Sequence, residues 1–153
     1  MDIPVTGMTY QNIRGIDADV CELYGIQLQT GEGGEPVRYA YKYPHTVKYR
    51  LHSDKSKSWV KDRGLGMNHL FGPDFNAGTS QRIYLTEGEF DAASLYQILG
   101  KTFPVKSLPS ASIGEKFIKH NHAYLSSFRE IIYAGELDAA GRTAADKLYQ
   151  AFP

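Results

Sequence analysis

Hydrophobic and polar positions follow three successive rhythms along the chain. In the first segment, Val20, Leu23 and Tyr24 fall at helical spacing behind Asp17, which predicts a short helix capped by Asp17 and stopped by Gly25. TGEGGEP (30–36) reads as a loop by composition. The period then drops to two, and VRYAYKY, VKYRLH and KSWVKD predict a small antiparallel sheet. That alternation puts Lys48, Arg50 and His52 on one face and Val47, Tyr49 and Leu51 on the other. RGLGMNHLFGPDFNAGTSQ (63–81) is rich in Gly and Asn and reads as a connector, with Leu70 and Phe71 tucked inward.

Beyond it, strands alternate with helices of ten to fifteen residues. RIYLT, FPVKSL and EIIYAG are the strands; EFDAASLYQILG, GEKFIKHNHAYLSSF and DAAGRTAADKLYQAF are the helices. Such alternation predicts right-handed βαβ units and a parallel sheet flanked by helices. The expected fold class is therefore α/β over residues 79–153, preceded at 1–78 by a small α+β subdomain with an antiparallel sheet.

Composition narrows the chemistry. The 153 residues are 42% hydrophobic and 12% aromatic, enough for a substantial core. Seventeen basic and 17 acidic residues cancel, so any nucleic-acid partner has to be read from local charge. There is no 18-residue apolar run and no signal-peptide pattern in residues 1–10, so the expectation is a soluble, cytoplasmic protein with no membrane partner. Cys21 is the one cysteine, which excludes an intrachain disulfide and a zinc site built on several cysteines.

Local charge is uneven. In an open parallel sheet, ligands bind beyond the carboxyl ends of the strands. Glu87 stands just past RIYLT, and Glu136 and Asp138 just past EIIYAG, so two acidic groups arrive at one edge. Asp91 lies one helical turn after Glu87, across Gly88. Two carboxylates about 4 Å apart repel by roughly 4 kcal/mol at an effective dielectric near 20, so such a group calls for a cation, a proton or solvent. An all-oxygen set suits a hard ion, Mg²⁺ or Mn²⁺. The plainer reading makes Glu89 and Asp91 first-turn helix acids and Asp138 an N-cap.

TEGEFDAASLYQILG followed by ELDAAGRTAADKL resembles the Toprim (topoisomerase-primase) domain, in the version found in phage replicative primase-helicases and their mitochondrial helicase relatives. Upstream, RGIDADVCELYGI, VKYR and NHLFG resemble that family's primase subdomain. The resemblance implies that Glu87 has acid-base or metal duty, that Glu136 and Asp138 are a metal-binding pair, and that Asp91 is an additional ligand. It implies primer synthesis: ribonucleoside triphosphates joined on a single-stranded DNA template with Mg²⁺ or Mn²⁺, beside a helicase, in phage-type replication within a host cytoplasm. Lys48, Arg50, Lys57, Lys61 and Arg63 would hold phosphates or the template backbone, although such alternation is also that of an ordinary solvated face. Arg142 would reach a phosphate or pair with an acid such as Asp138; the ion pair is the favoured expectation.

Three departures qualify the likeness. Glu136 stands where the family usually has Asp, and Gly135, where it usually has a bulky apolar residue, is expected to loosen the acids' support. The family's fourth strand would follow Pro153, so a piece of a longer chain is expected. The lone cysteine leaves no room for the zinc module of phage primases. Two other readings stay open: a degenerate, non-catalytic Toprim module that binds single-stranded DNA or a helicase, and a Toprim nuclease or topoisomerase-type strand cleaver. LGKT (99–102) lacks the first glycine of a P-loop, and Gly100 reads as a helix stop. His120 and His122 point to different faces of a predicted helix and read as surface histidines. SASIG (110–114) reads equally as a phosphate-approaching loop or an ordinary one.

Overall fold

The structure, a computed structural model, describes residues 7–54, 56–61, 68–76, 81–110 and 112–153. The chain divides into two units, Met1–Gly66 and Met67–Pro153. The boundary expected at 78/79 lies outside the described residues.

The first unit contains β1 (Met8–Thr9), α1 (Ala18–Tyr24), β2 (Ile26–Thr30), β3 (Pro36–Tyr43), β4 (Thr46–Leu51) and β5 (Ser58–Val60). The strands form one antiparallel sheet in chain order. The last three strands and α1 follow the sequence pattern, whereas β1 and β2 were not anticipated. IQLQT does alternate, with Ile26 and Leu28 buried and Gln27 and Gln29 less so, but five residues leaving a helix stop give a weak period-two signal.

At the start of α1, Asp17 occupies the N-cap position without a side-chain cap bond. Asn12 Oδ1 accepts the Ala18 N–H at 2.8 Å instead, a partner six residues back that a local capping rule does not find. Gly25 ends the helix in the left-handed region (φ 71°), where a Cβ would also lie 2.9 Å from Lys42 Cβ.

Register confirms the alternation in β4: Lys48 lies opposite Tyr41 and Val60, Arg50 opposite Tyr39 and Ser58, and Tyr49 opposite Ala40 and Trp59. Burial does not segregate as cleanly. Val47, Lys48, Arg50 and Leu51 are all half-buried, and buried tyrosines occupy both faces, Tyr39 and Tyr41 on one and Tyr49 on the other. Long basic side chains opposite tyrosines can bury their stems and keep their charges wet.

The second unit contains β6 (Arg82–Thr86), α2 (Glu89–Ile98), β7 (Val105–Ser107), α3 (Glu115–Ser126), β8 (Glu130–Ala134) and α4 (Ala139–Ala151), the alternation read from the sequence. The strands are parallel, in the order β7-β6-β8, so the chain crosses from one side of β6 to the other. Ile83, Leu85, Leu108, Phe117, Leu125 and Leu148 form the core with Leu70.

Residues 68–76 are stitched onto this unit. Phe71 exchanges backbone hydrogen bonds with Ser107 (2.8 and 2.9 Å), and both Leu70 and Phe71 are buried, as expected. The Tyr124 hydroxyl bonds both the N–H and C=O of Phe75 at 3.1 Å. Lys106 Nζ meets Asp74 Oδ1 at 3.0 Å. Gly100 (φ 84°) follows α2 as its left-handed stop. Among the described residues, no helix is long and apolar enough to cross a membrane.

Candidate acidic site at the strand ends

β6 and β8 pair from Arg82↔Glu130 to Thr86↔Ala134, so the two strands end level. Glu87 and Gly135 therefore step off the sheet side by side. The Glu136 N–H points to Glu87 Oε2 at 3.3 Å, a long contact joining the two acidic segments. Thr86, buried, donates its hydroxyl to the Gly88 carbonyl at 3.0 Å and fixes the turn between β6 and α2. A Cβ on Gly88 would lie 2.8 Å from Asp91 Oδ2, so the Asp91 carboxylate folds back against that turn.

Glu89 and Asp91 are both first-turn acids of α2, as the plainer reading has it. They differ in burial: Asp91 is exposed, whereas Glu89 is 5% exposed, which its place beside other acids in the sequence did not reveal.

Asp138 is the N-cap of α4, and its Oδ1 accepts the Gly141 N–H at 2.7 Å. Its second oxygen has no partner among the described residues. Gly141 serves a further purpose: a Cβ there would fall well inside contact with the Glu136 carbonyl oxygen. Only glycine lets the first turn of α4 press against Glu136.

The expected loosening at Gly135 is not what the fold shows. Residues i and i+2 of a strand share a face, and the ring of Tyr133 lies over Gly135, where a Cβ would overlap the ring carbons and the hydroxyl. Tyr133 thus fills the space a side chain at 135 would take. Its hydroxyl is buried with no hydrogen-bond partner among the described residues, a condition that costs about 1–3 kcal/mol. Burial, and then the charges of Glu87, Asp138 and Glu136, hold the Tyr133 phenol above its ordinary pKa.

The structure thus brings Glu87, Glu136 and Asp138 to one edge, with Asp91 against the adjoining turn. Among the described residues, no three His, Cys, Asp or Glu side chains form a group that could hold a metal ion. Carboxylate oxygens are nonetheless the donor type that Mg²⁺ or Mn²⁺ takes. Mg²⁺ is ordinarily held by one or two carboxylates, with waters and substrate phosphates completing its shell. The free Asp138 oxygen and the exposed Glu136 carboxylate answer that description.

The basic candidates belong to the other unit, except Arg142. Lys48 and Arg50 are half-buried on β4; Lys57 and Lys61 are exposed on either side of β5, their backbones bonded to Leu51 and Val47. Arg63 lies outside the described residues. Arg142 is exposed and makes no ion pair among the described residues, which corrects the favoured expectation of a pair with Asp138. One turn into the helix, its backbone N–H bonds the Asp138 carbonyl, while its side chain stands free in solvent.

The histidines do face apart: His120 Nε2 meets His69 Nδ1 at 3.1 Å, whereas His122 stacks on Phe152. Sequence reasoning missed the His69 partner, 51 residues away. It also missed Tyr133, although a bulky residue two before a glycine at a strand end was a readable signal.

Residues 84–153 match the family described as Toprim-like. A DNA helicase/primase of Enterobacteria phage T3 is 28% identical over 143 residues, covering 92% of this chain and 25% of that protein. The chain thus spans about a quarter of the length of that curated relative. The primase fragment of the bacteriophage T7 primase-helicase has the same fold, with a TM-score of 0.77 at 24% identity over 95% of this chain and 62% of the other. A second T7 structure has the lagging-strand DNA polymerase interacting with primase domains bound to an RNA/DNA hybrid and dTTP. It matches at a TM-score of 0.78 and 26% identity, over 95% of this chain and 76% of the other.

Proposed function

Taking residues 84–153 as a Toprim-like domain, we propose that the chain is the primase-type module of a phage-type replication protein. In this reading it makes RNA primers from ribonucleoside triphosphates on a single-stranded DNA template and works beside a helicase. The observation that carries the reading is the meeting of Glu87 and Glu136 at the level ends of β6 and β8, with Asp138 capping the helix that follows.

Glu136 and the free oxygen of Asp138 are the proposed metal-holding groups, with Asp91 as a helper. When bound, Mg²⁺ or Mn²⁺ would neutralise triphosphate charge and favour attack by a 3′ hydroxyl. Glu87, half-buried and already accepting one N–H, is assigned the acid-base role at that edge. Exposed Arg142 is assigned to phosphate oxygens, and Lys48, Arg50, Lys57, Lys61 and Arg63 to the template backbone.

The second reading, a non-catalytic module that binds single-stranded DNA or a helicase, draws support from the absence of a three-ligand group among the described residues. Thermal unfolding during Mg²⁺ or Mn²⁺ titration separates the two. On the catalytic reading the ion stabilises the wild type and not Glu87→Gln or Asp138→Asn, and the chain joined to its helicase makes labelled oligoribonucleotides on a template. Equal response of all three proteins would sink the metal site. Ion binding without oligoribonucleotides would favour the binding module.

A further inference from the structure

Trp59 stands midway between Lys57 and Lys61 on β5, the outer strand of the antiparallel sheet. Tyr49 lies opposite it, and the ladder runs on past both ends of β5. There the Leu51 N–H bonds the Lys57 carbonyl at 3.1 Å, and the Lys61 N–H bonds the Val47 carbonyl at 3.0 Å. Residues two apart in a strand share a face, so Lys57, Trp59 and Lys61 project to the side that carries Tyr49. Lys48 and Arg50 project to the other.

A stack of three side chains crosses the Tyr49 face. The Arg38 guanidinium is 5.0 Å from the centroid of the Tyr49 ring, and the Tyr49 and Trp59 rings are 5.5 Å apart and 23° from parallel. Its inner end is fixed: Arg38 is 1% exposed and donates from Nε to Gln29 Oε1 at 2.7 Å. Tyr49 is 5% exposed, Trp59 is half-buried, and the lysines on either side of Trp59 are exposed. The five strands contain no aspartate or glutamate, so no acid of the sheet itself repels an anion here.

We propose that Trp59 is the stacking platform for one base of an extended single strand of nucleic acid, with Lys57 and Lys61 meeting phosphates on either side of that base. An aromatic face accepts any base, and lysines hold a backbone without reading sequence. Stacking requires an unpaired base, which selects a single strand over a duplex. Spacing selects a strand over a free nucleotide. Four residues of extended chain set the backbones of Lys57 and Lys61 about 13 Å apart, with the ring between them. Phosphates flanking one base engage both lysines across that distance, whereas the phosphate group of a lone nucleotide lies to one side of its base. The buried Arg38 and Tyr49 hold the ring in place, so little freedom is lost when a base settles on it.

This role rests on the template-binding part of the proposed function and is independent of the acidic edge. Trp59 is the one tryptophan of the chain, so its emission reports the site directly. The test titrates the full 153-residue chain with oligodeoxythymidylate, read by Trp59 emission with the plain oligomer and by anisotropy with a labelled one. Wild type, Trp59→Phe, Trp59→Leu and Lys61→Ala are compared by anisotropy. The expected result is quenching of the wild-type emission with the same midpoint as the anisotropy change. Trp59→Leu should bind about tenfold more weakly, and Trp59→Phe, which keeps an aromatic face, should recover most of that loss. Lys61→Ala should lower the slope of log affinity against log salt by about one, a slope that Trp59→Leu leaves unaltered. The emission readout needs no variant, so it decides the matter even where a substitution unfolds the sheet. An anisotropy change without quenching, or Trp59→Leu binding as tightly as wild type, overturns the platform and leaves template binding standing. Equal quenching by a duplex or by thymidine triphosphate alone overturns the single strand as its occupant. No binding in either readout overturns the template assignment and this role with it.

Discussion

Asp138 shows how one side chain can satisfy two readings at once. It caps α4 through Oδ1, and its other oxygen has no hydrogen-bond partner among the described residues. The roles separate by substitution. Asparagine caps about as well as aspartate, so Asp138→Asn should stay within about 0.5 kcal/mol of wild type in urea unfolding and, on the metal-site reading, should lose divalent-cation stabilisation. Asp138→Ala should lose both, with about 1 kcal/mol from the cap. Comparable unfolding midpoints for the two variants would contradict the capping role. Cys21 gives a pH signature at the same scale. Fully buried in α1, its thiol is pushed from 9.0 up to about 11 by burial. Below pH 9 both folded and unfolded chains keep the proton. Between pH 9 and about 11 only the unfolded chain loses it, so stability falls as pH rises through that window. The slope should flatten in Cys21→Ala, read as urea midpoint against pH relative to the variant's own neutral value.

Among the elements, the segment 68–76 is held by apolar burial more than by charge. Phe71 is wholly buried and pairs with Ser107, so Phe71→Ala should cost about 3–5 kcal/mol. Lys106 is buried, and desolvation lowers its pKa despite the opposing pull of Asp74. The partner carboxylate is 95% exposed, so removing the ammonium strands no buried charge. Lys106→Met should therefore be neutral or mildly stabilising in thermal melts. A large loss would show that the ion pair anchors the segment. Legibility in the sequence follows the same division. The βαβ elements were readable because each strand is an apolar run closed by a helix of clear period, and the acids sit at fixed steps beyond them. β2 was not readable, because its five residues leave a helix stop and owe their conformation to pairing with β3. Asn12 as the partner of Ala18, His69 as that of His120 and the free side chain of Arg142 escaped for one reason: each depends on where the chain returns in space, which local spacing does not encode.

For the whole molecule, the zero net charge recurs almost unchanged in each unit, nine basic and eight acidic residues in 1–66 and eight basic and nine acidic in 67–153. The acidic edge is in the second unit, while Lys48, Arg50, Lys57 and Lys61 are in the first. A neutral total therefore says little about either surface. The strand order β7-β6-β8 has a consequence in time as well. β6, α2 and β7 are consecutive in the chain, but Glu87 and Glu136 are 49 residues apart and meet only after the chain has crossed to the far side of β6. Contacts of such separation form late, because the intervening chain must be closed first. On the metal-site reading, helical signal in a refolding experiment should grow before Mn²⁺ is taken up. A nascent chain released from synthesis before β8 emerges would own Glu87 and lack Glu136 and Asp138, the acids that complete its edge.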